Sequence, residues 1–253
     1  MAHVIITGAS AGIGETFART LAAQGQDLIL VARRKDRLTE LAEELGRQHG
    51  IDARVLTADL ARPDAAATLA DELTAHGWAL SGLINNAGFG DRGSFEKMDL
   101  ERQLAMIQVN VTSLVDLTWR LLPQLRQQGE GFIINVASTA AFQAGPNMAI
   151  YYATKAFVLS FSEALHEELR GSGVRVSALC PGATESEFAS RANMTDTRLF
   201  HSGTMSAEAV VAEALARRQR AIVISGWRNR LMVWAGKLSP RWLTRRLAGW
   251  LQA

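Results

Sequence analysis

His3-Val4-Ile5-Ile6-Thr7-Gly8-Ala9-Ser10-Ala11-Gly12-Ile13-Gly14 is the stretch on which the rest of the chain turns. A short β-branched run reaches Ile6 and gives way to a glycine-rich turn. Phe17, Leu21 and Ala22 then recur at helical spacing. The order is strand, turn, helix. Gly8, Gly12 and Gly14 let the backbone turn tightly and approach a phosphate with no Cβ in the way. A helix that begins at Gly12 points its free N–H groups at the same anion. With a strand before it and a helix after it, the turn reads as a dinucleotide site, with Ser10, Ala11 and Ile13 beside the glycines, rather than as a plain tight loop.

The next strand, Leu28 to Ala32, runs into Arg33-Arg34-Lys35. A carboxylate here would hold a ribose 2′-hydroxyl. A guanidinium matches a 2′-phosphate instead. The expected cofactor is therefore NADP(H), with Arg33 ahead of Arg34. The alternation continues: helix 35–49, strand 53–57 ending at Asp59-Leu60, helix 64–76, strand 82–84. Asn85-Asn86-Ala87-Gly88 follows that strand, and two amides and a glycine at a strand end bring backbone close to a ligand or a neighbouring strand. A helical region spans about 99–127 and carries Asn110 among Ile107, Val109 and Val111. The apolar run Phe132 to Val136 has the pattern of a central parallel strand. It ends near Ser138, where open α/β sheets bind ligands; a strand-end serine also caps turns. Then comes a helix from Tyr151 to about Arg170, a strand 174–180 with Pro181-Gly182 after it, a long polar segment 183–205 read as an irregular lid, a helix 206–219 and a strand 221–224.

Tyr151 and Lys155 are four residues apart, about one helical turn and a rise of roughly 6 Å, so they share a face. A phenol beside a half-buried ammonium is a proton donor with its pKa pulled down. The same spacing also describes a packed aromatic beside a solvated charge.

Composition narrows the class. The chain has 253 residues, 48% hydrophobic and 21% charged, with net charge +2. That is globular, long enough for a substantial core, and unlike a nucleic-acid binder driven by bulk charge. One cysteine, Cys180, excludes an internal disulfide and a multi-cysteine metal site; it reads as a buried structural thiol. No apolar run approaches a spanning helix, and the strand pattern at His3 leaves no room for a signal peptide, so a cytoplasmic protein is expected.

Taken together, these motifs resemble the classical group of the short-chain dehydrogenase/reductase family over roughly 3–225. The resemblance implies a doubly wound Rossmann-type α/β domain whose seven-stranded parallel sheet has the order 3-2-1-4-5-6-7, with helices on both faces. The turn Gly8 to Gly14 is similar to the family's cofactor turn. Asp59, next to Leu60, matches the residue that holds the adenine, and Asn85-Asn86-Ala87-Gly88 the motif that steadies the sheet. Asn110, Ser138, Tyr151 and Lys155 match the catalytic tetrad. Pro181-Gly182, followed by Thr184 and Ser186, matches the motif beside the nicotinamide, with Ser186 standing where the family carries threonine. The resemblance also implies the roles. Ser138 hydrogen-bonds the substrate oxygen and Tyr151 donates the proton. Lys155 holds the nicotinamide ribose, and Asn110 anchors a water that links Lys155 to solvent. A homodimer or homotetramer is implied too.

The chain departs from that pattern after residue 225. Residues 226–253 carry Arg228, Arg230, Lys237, Arg241, Arg245 and Arg246 with no acid, and four of the six tryptophans. Leu231, Trp234 and Leu238 recur at helical spacing, as do Leu243, Leu247, Trp250 and Leu251 after Pro240. The tail is expected to form two short basic amphipathic helices, packed on the cleft or on a partner subunit, or lying on a membrane surface. The expected activity is hydride transfer between NADPH and an apolar ketone or aldehyde. The alternatives are a non-catalytic NADPH-binding sensor or scaffold and a 3-oxoacyl-thioester reductase.

Overall fold

A computed structural model describes residues 2–194, 196–198 and 203–252. Its seven strands are β1 (His3–Thr7), β2 (Asp27–Ala32), β3 (Ala53–Thr57), β4 (Leu80–Asn85), β5 (Gly131–Val136), β6 (Val174–Cys180) and β7 (Ile222–Ile224). They form one parallel sheet in the order β3-β2-β1-β4-β5-β6-β7, as expected. β3 and β6 match the expected ranges, β7 begins one residue late, and the others exceed theirs by at most two residues at an edge, where ladder bonds to a neighbour extend pairing beyond the apolar run.

Successive strand residues point to opposite faces, and both faces are covered. Val4, Ile6, Leu28 and Leu30 pack under α1 (Gly12–Ala23), α2 (Lys35–His49) and a later helix, Ala207–Ala216. Ile5, Ile29, Leu83 and Ile133 pack on the other side under α3 (Ala65–His76) and α5 (Ser113–Gln127). Because β2 and β4 flank β1, the connections leave to opposite sides and open a crevice at the carboxyl ends of β1 and β4. Thr7 staples the two strand ends. Its Oγ1 accepts from the Asn86 and Ala87 N–H groups, both at 3.0 Å, and donates to the Ile84 carbonyl at 3.3 Å. A buried chain continues across the sheet: Asn85 Nδ2 donates to Thr118 Oγ1 (2.9 Å) and Asn135 Oδ1 (2.8 Å), and Asn135 Nδ2 to Ser162 Oγ (2.9 Å).

Three expectations are corrected. The helical region 99–127 is broken: α4 (Leu100–Ile107) passes through a wider π turn (Gln108–Thr112) before α5. The turn coincides with Asn110, whose amide is drawn to backbone in another segment. The segment 183–205 is not wholly irregular. It carries α7 (Glu187–Arg191) and closes on itself through a bridge between Thr184 and Met205; 195 and 199–202 lie outside the described residues. The helices on either side of that segment end early, α6 (Ala149–Glu168) before it and α8 (Ala207–Ala216) after it.

The tail forms α9 (Trp227–Leu238) and α10 (Arg241–Gln252). Val233, Ala248 and Gln252 are the buried positions, while Trp227, Leu231, Trp234 and Leu238 stand exposed on α9. Of the readings open for the tail, the stripe on α9 does not pack on the crevice of its own chain, whereas Leu243, Leu247 and Leu251 of α10 line it. None of the described helices is long and apolar enough to cross a membrane.

Thr7→Val keeps the shape of the side chain but leaves the half-buried Ala87 N–H without its acceptor and the Asn86 N–H with only the Ile84 carbonyl. It should cost about 1–3 kcal/mol of stability, seen as a lower urea midpoint with an unchanged slope.

Candidate active site

The cofactor side of the crevice is built from backbone. Gly8 (φ 67°) and Gly12 (φ 56°) occupy left-handed conformations, and a Cβ on Gly14 would lie 2.3 Å from the Gly8 carbonyl oxygen. Asn86 Nδ2 donates to the carbonyls of Thr7 (2.9 Å) and Gly8 (3.2 Å), which holds the turn open. No side chain caps the start of α1, so its first N–H groups are left for a ligand. These features fit a dinucleotide pyrophosphate.

Ala32, Arg33 and Asp59 continue along the same wall. Arg34 is engaged: Nε donates to Ser10 Oγ (3.2 Å), Nη2 to the Ser10 carbonyl (3.0 Å), and the guanidinium pairs with Glu187 at 3.2 Å. Arg33 is exposed beside it. Asp59 Oδ1 accepts from Ala61 N–H at 3.1 Å, which fixes the loop after β3 next to Leu60. Across the crevice, Thr184 Oγ1 donates to the Gly182 carbonyl at 3.0 Å, and Ser186 caps α7 by accepting from Phe188 N–H at 3.3 Å. A Cβ on Gly12 would meet Ser186 Cβ at 2.9 Å, so the cofactor turn and the start of the lid are in contact.

Ser138, Tyr151 and Lys155 share the inner wall with Ala87, Gly88 and Pro181. The Lys155 ammonium donates to the Val136 carbonyl at 2.8 Å and lies 5.8 Å from the centre of the Tyr151 ring. Only 5% of Lys155 is exposed, and burial pushes its pKa down to about 8. Burial also pushes the Tyr151 phenol above its ordinary value, against an opposing hydrogen bond from Ser138. This corrects the expected lowering by Lys155: desolvation of the phenolate sets the direction, opposed only by the Ser138 hydrogen bond. Ser138 lines the crevice, and its Oγ accepts from Ala140 N–H at 3.1 Å and caps a short 3₁₀ turn.

Asn110 sits one layer back. Its Oδ1 accepts from Phe89 N–H (3.1 Å), and its Nδ2 donates to the Phe89 carbonyl (3.0 Å) and Thr154 Oγ1 (3.1 Å). Its side chain joins the loop after β4 to α6. A Cβ on Gly88 would fall 3.0 Å from Asn110 Oδ1 and 3.4 Å from Lys155 Nζ, so glycine is what lets that loop close in. Cys180 is buried nearby, its thiol pushed up to about 12 by desolvation.

The substrate side is the part the motifs did not reveal. The crevice holds about 870 Å³ and extends under the tail, where Met232, Val233, Leu243, Leu247, Ala248 and Leu251 form an apolar wall. Arg92 ties lid and tail together: Nε donates to the Asn193 carbonyl (2.7 Å), Nη1 to the Gln252 carbonyl (2.7 Å), and Nη2 pairs with Asp196 (3.0 Å). Gln252 Nε2 donates to Tyr152 Oη at 2.6 Å. In the sequence, nothing but the adjacency of Tyr152 to Tyr151 points to this contact.

Comparison with known proteins agrees with this geometry. A model of the short chain dehydrogenase family matches residues 2–197. The chain belongs to the short-chain dehydrogenase/reductase family, whose members bind nicotinamide cofactors. Sulfoacetaldehyde reductase 2 of Chromohalobacter salexigens is 40% identical over 187 residues, 73% of each chain. 11-beta-hydroxysteroid dehydrogenase 1A of Arabidopsis thaliana is 40% identical over 73% of this chain and 52% of its own length. Among solved structures, a 7beta-hydroxysteroid dehydrogenase is similar with TM-score 0.89 at 28% identity, covering 98% of this chain and 96% of that one. A short-chain dehydrogenase from Sphingobium yanoikuyae in complex with NADPH has TM-score 0.82 at 36% identity, over 94% and 93%. One from Burkholderia phymatum in complex with NAD has TM-score 0.81 at 26% identity, over 92% of each chain.

The depressed lysine predicts a pH signature. Between the folded value of about 8 and the ordinary 10.5, the unfolded chain holds this proton and the folded chain does not. Stability rises with pH wherever the unfolded state binds more protons. The stability of wild type relative to Lys155→Met should therefore increase across that window, measured by urea unfolding at a series of pH values.

Proposed function

We propose that the protein is an NADPH-dependent reductase of bulky apolar ketones or aldehydes. The observation that carries this is the enclosure of Ser138, Tyr151 and Lys155 in a crevice whose outer wall is apolar and supplied by the tail. NADPH, when bound, supplies the hydride to the carbonyl carbon. Ser138 donates a hydrogen bond to the substrate oxygen. Tyr151 gives that oxygen its phenolic proton, so the carbonyl leaves as an alcohol. Burial keeps the phenol protonated in readiness, and Lys155, an ammonium at neutral pH, offsets the tyrosinate that forms. Lys155 also holds the nicotinamide ribose. Asn110 positions the loop after β4 against Lys155 and, as in the family resemblance, anchors the water through which the proton is resupplied.

Exposed Arg33, with no carboxylate at Ala32, supports preference for a 2′-phosphate. Gly8 to Gly14, Asp59, Leu60, Asn86 to Gly88, Pro181, Gly182, Thr184 and Ser186 complete the cofactor contacts in this reading, and Arg34 fixes Ser10 beside it. A sensor has no use for the three catalytic groups together. A 3-oxoacyl-thioester reductase remains the nearest alternative among enzymes, and the very-long-chain 3-oxoacyl-CoA reductase of Anas platyrhynchos, 31% identical over 71% of this chain and 59% of its own length, is a relative of that kind. Exposed Leu100, Leu104, Trp119 and Phe157 on α4, α5 and α6 support a homodimer or homotetramer.

The decisive assay follows cofactor oxidation over a panel of bulky ketones and aldehydes. Turnover with NADPH should exceed that with NADH by about 10- to 100-fold, shrink toward parity in Arg33→Ala, and be lost in Tyr151→Phe. NADPH binding without turnover of any panel member would favour the sensor.

We propose in addition that α9 rests on an anionic lipid surface. Trp227, Leu231, Trp234 and Leu238 form one exposed stripe, Trp234 at 64%, on a helix that carries Arg228, Arg230 and Lys237 and no acid of its own, with only Arg230 paired among the described residues, to Glu213. The protein should float with phosphatidylglycerol vesicles and not with phosphatidylcholine ones, and Trp227→Ala with Trp234→Ala should abolish flotation. Wild type that stays at the bottom of the gradient rejects the membrane contact.

A further inference from the structure

The apolar end of the crevice contains one polar pair with unmet hydrogen-bonding capacity. Tyr152 follows Tyr151 on α6, its ring 6.1 Å from that of Tyr151 and nearly edge-on. The ring is pinned on its other side by the turn before α6, because a Cβ on Gly145 would fall 2.3 Å from it. Gln252, in the last turn of α10, meets its hydroxyl at 2.6 Å. Both residues line the crevice, and both are buried, Tyr152 at 6% and Gln252 at 1% exposure. Gln252 Oε1 is buried without a partner.

An unpartnered amide oxygen in an apolar wall is costly unless a ligand meets it. Two orientations of the amide are chemically possible. With Nε2 donating to the phenol, the phenolic O–H, the second amide N–H and Oε1 are left over. With the amide reversed, the phenol donates to Oε1, and the amide N–H groups and a phenol lone pair are left over. In either case the pair retains at least one donor and one acceptor. A hydroxyl, which both donates and accepts, satisfies either arrangement. Tyr152 sits in an apolar cluster with Ala140, Met148 and Met194, against which Phe188 packs, and Leu247 and Leu251 of the same helix as Gln252 line the crevice. The cation nearest along the chain of contacts, Arg92, is engaged by Asn193, Gln252 and Asp196. A carboxylate or sulfonate at this end would find no matching charge there.

We propose that Tyr152 and Gln252 form a second binding point, for a neutral hydroxyl carried by the substrate at the end remote from its carbonyl. This rests on the reading of the crevice as a site of ketone reduction. The substrate class becomes a bulky hydrocarbon framework with a ketone at one end and an alcohol at the other. Selection between it and its deoxy counterpart falls to Tyr152 and Gln252.

Matched pairs test this: androsterone with its deoxy analogue, and phenyl ketones with and without a terminal hydroxyl on chains of increasing length. Wild type should favour the hydroxylated member of the best pair by about 10- to 100-fold in kcat/KM, chiefly through KM. Gln252→Leu and Tyr152→Phe should each bring the ratio to within about threefold of unity. Each ratio is taken on one protein preparation, so partial misfolding cancels from it. A wild-type ratio near unity for every pair, or a ratio that survives both variants, overturns the proposal. If no ketone turns over, the reductase reading fails separately, and binding of the same pairs to the NADPH-loaded protein by calorimetry decides. Tighter binding of the hydroxylated member, lost in Gln252→Leu, upholds the second point; equal or absent binding of both members rejects it.

Discussion

The reversal of strand order beside β1 is the constraint on which the rest depends. β2 lies on one side of it and β4 on the other, so the chain must leave the two strand ends in opposite directions. That separation would be a weak point without Thr7. Its one hydroxyl meets two N–H groups and one carbonyl from β4 and the loop after it, and Asn86 returns two bonds to β1. The crevice is thus open and braced at once. The glycines of the cofactor turn, the approach of Gly88 to Lys155 and the position of Ser138 all follow from strand ends that cannot drift apart.

Desolvation then sets the chemistry. The interior that packs β5 and β6 also takes in an ammonium and a phenol, and each responds by favouring its neutral form. The lysine is lowered only to about 8, so it keeps its proton at neutral pH, and it donates a hydrogen bond to the Val136 carbonyl. The phenol stays neutral because nothing nearby compensates a buried phenolate fully. A proton donor held in this state is discharged only when negative charge develops beside it, a condition that a carbonyl being reduced would meet in the function proposed above.

Much of this was readable in the chain because it is local. The turn at Gly8 to Gly14, the alternation of strand and helix, and the one-turn spacing of Tyr151 and Lys155 need only neighbours in sequence. What escaped depends on distant partners. The π turn at Asn110 is drawn out by backbone at Phe89, and no pattern within 99–127 contains that pull. The rise of the Tyr151 pKa reflects how much hydrocarbon gathers around it, which spacing does not report. In the tail, hydropathy showed amphipathic helices but not which face would find a partner. Val233, Ala248 and Gln252 turn inward, and a stripe with Trp227 and Trp234 turns out. Gln252 and Tyr152 are 100 residues apart, and their contact exists only because the tail folds back over α6.

The state of Cys180 has a practical side. It is the sole cysteine of the chain, it is fully enclosed, and its thiol is held at about 12, so almost none of it is thiolate at neutral pH. The native protein is therefore silent to maleimides and to mild oxidants. A cysteine introduced on the outer face of α9 or beside the lid would be the single reactive handle on the molecule. Spin or fluorescent probes can report from the tail and the lid without first removing a native thiol, and without disturbing the packing under the active site that removal would entail.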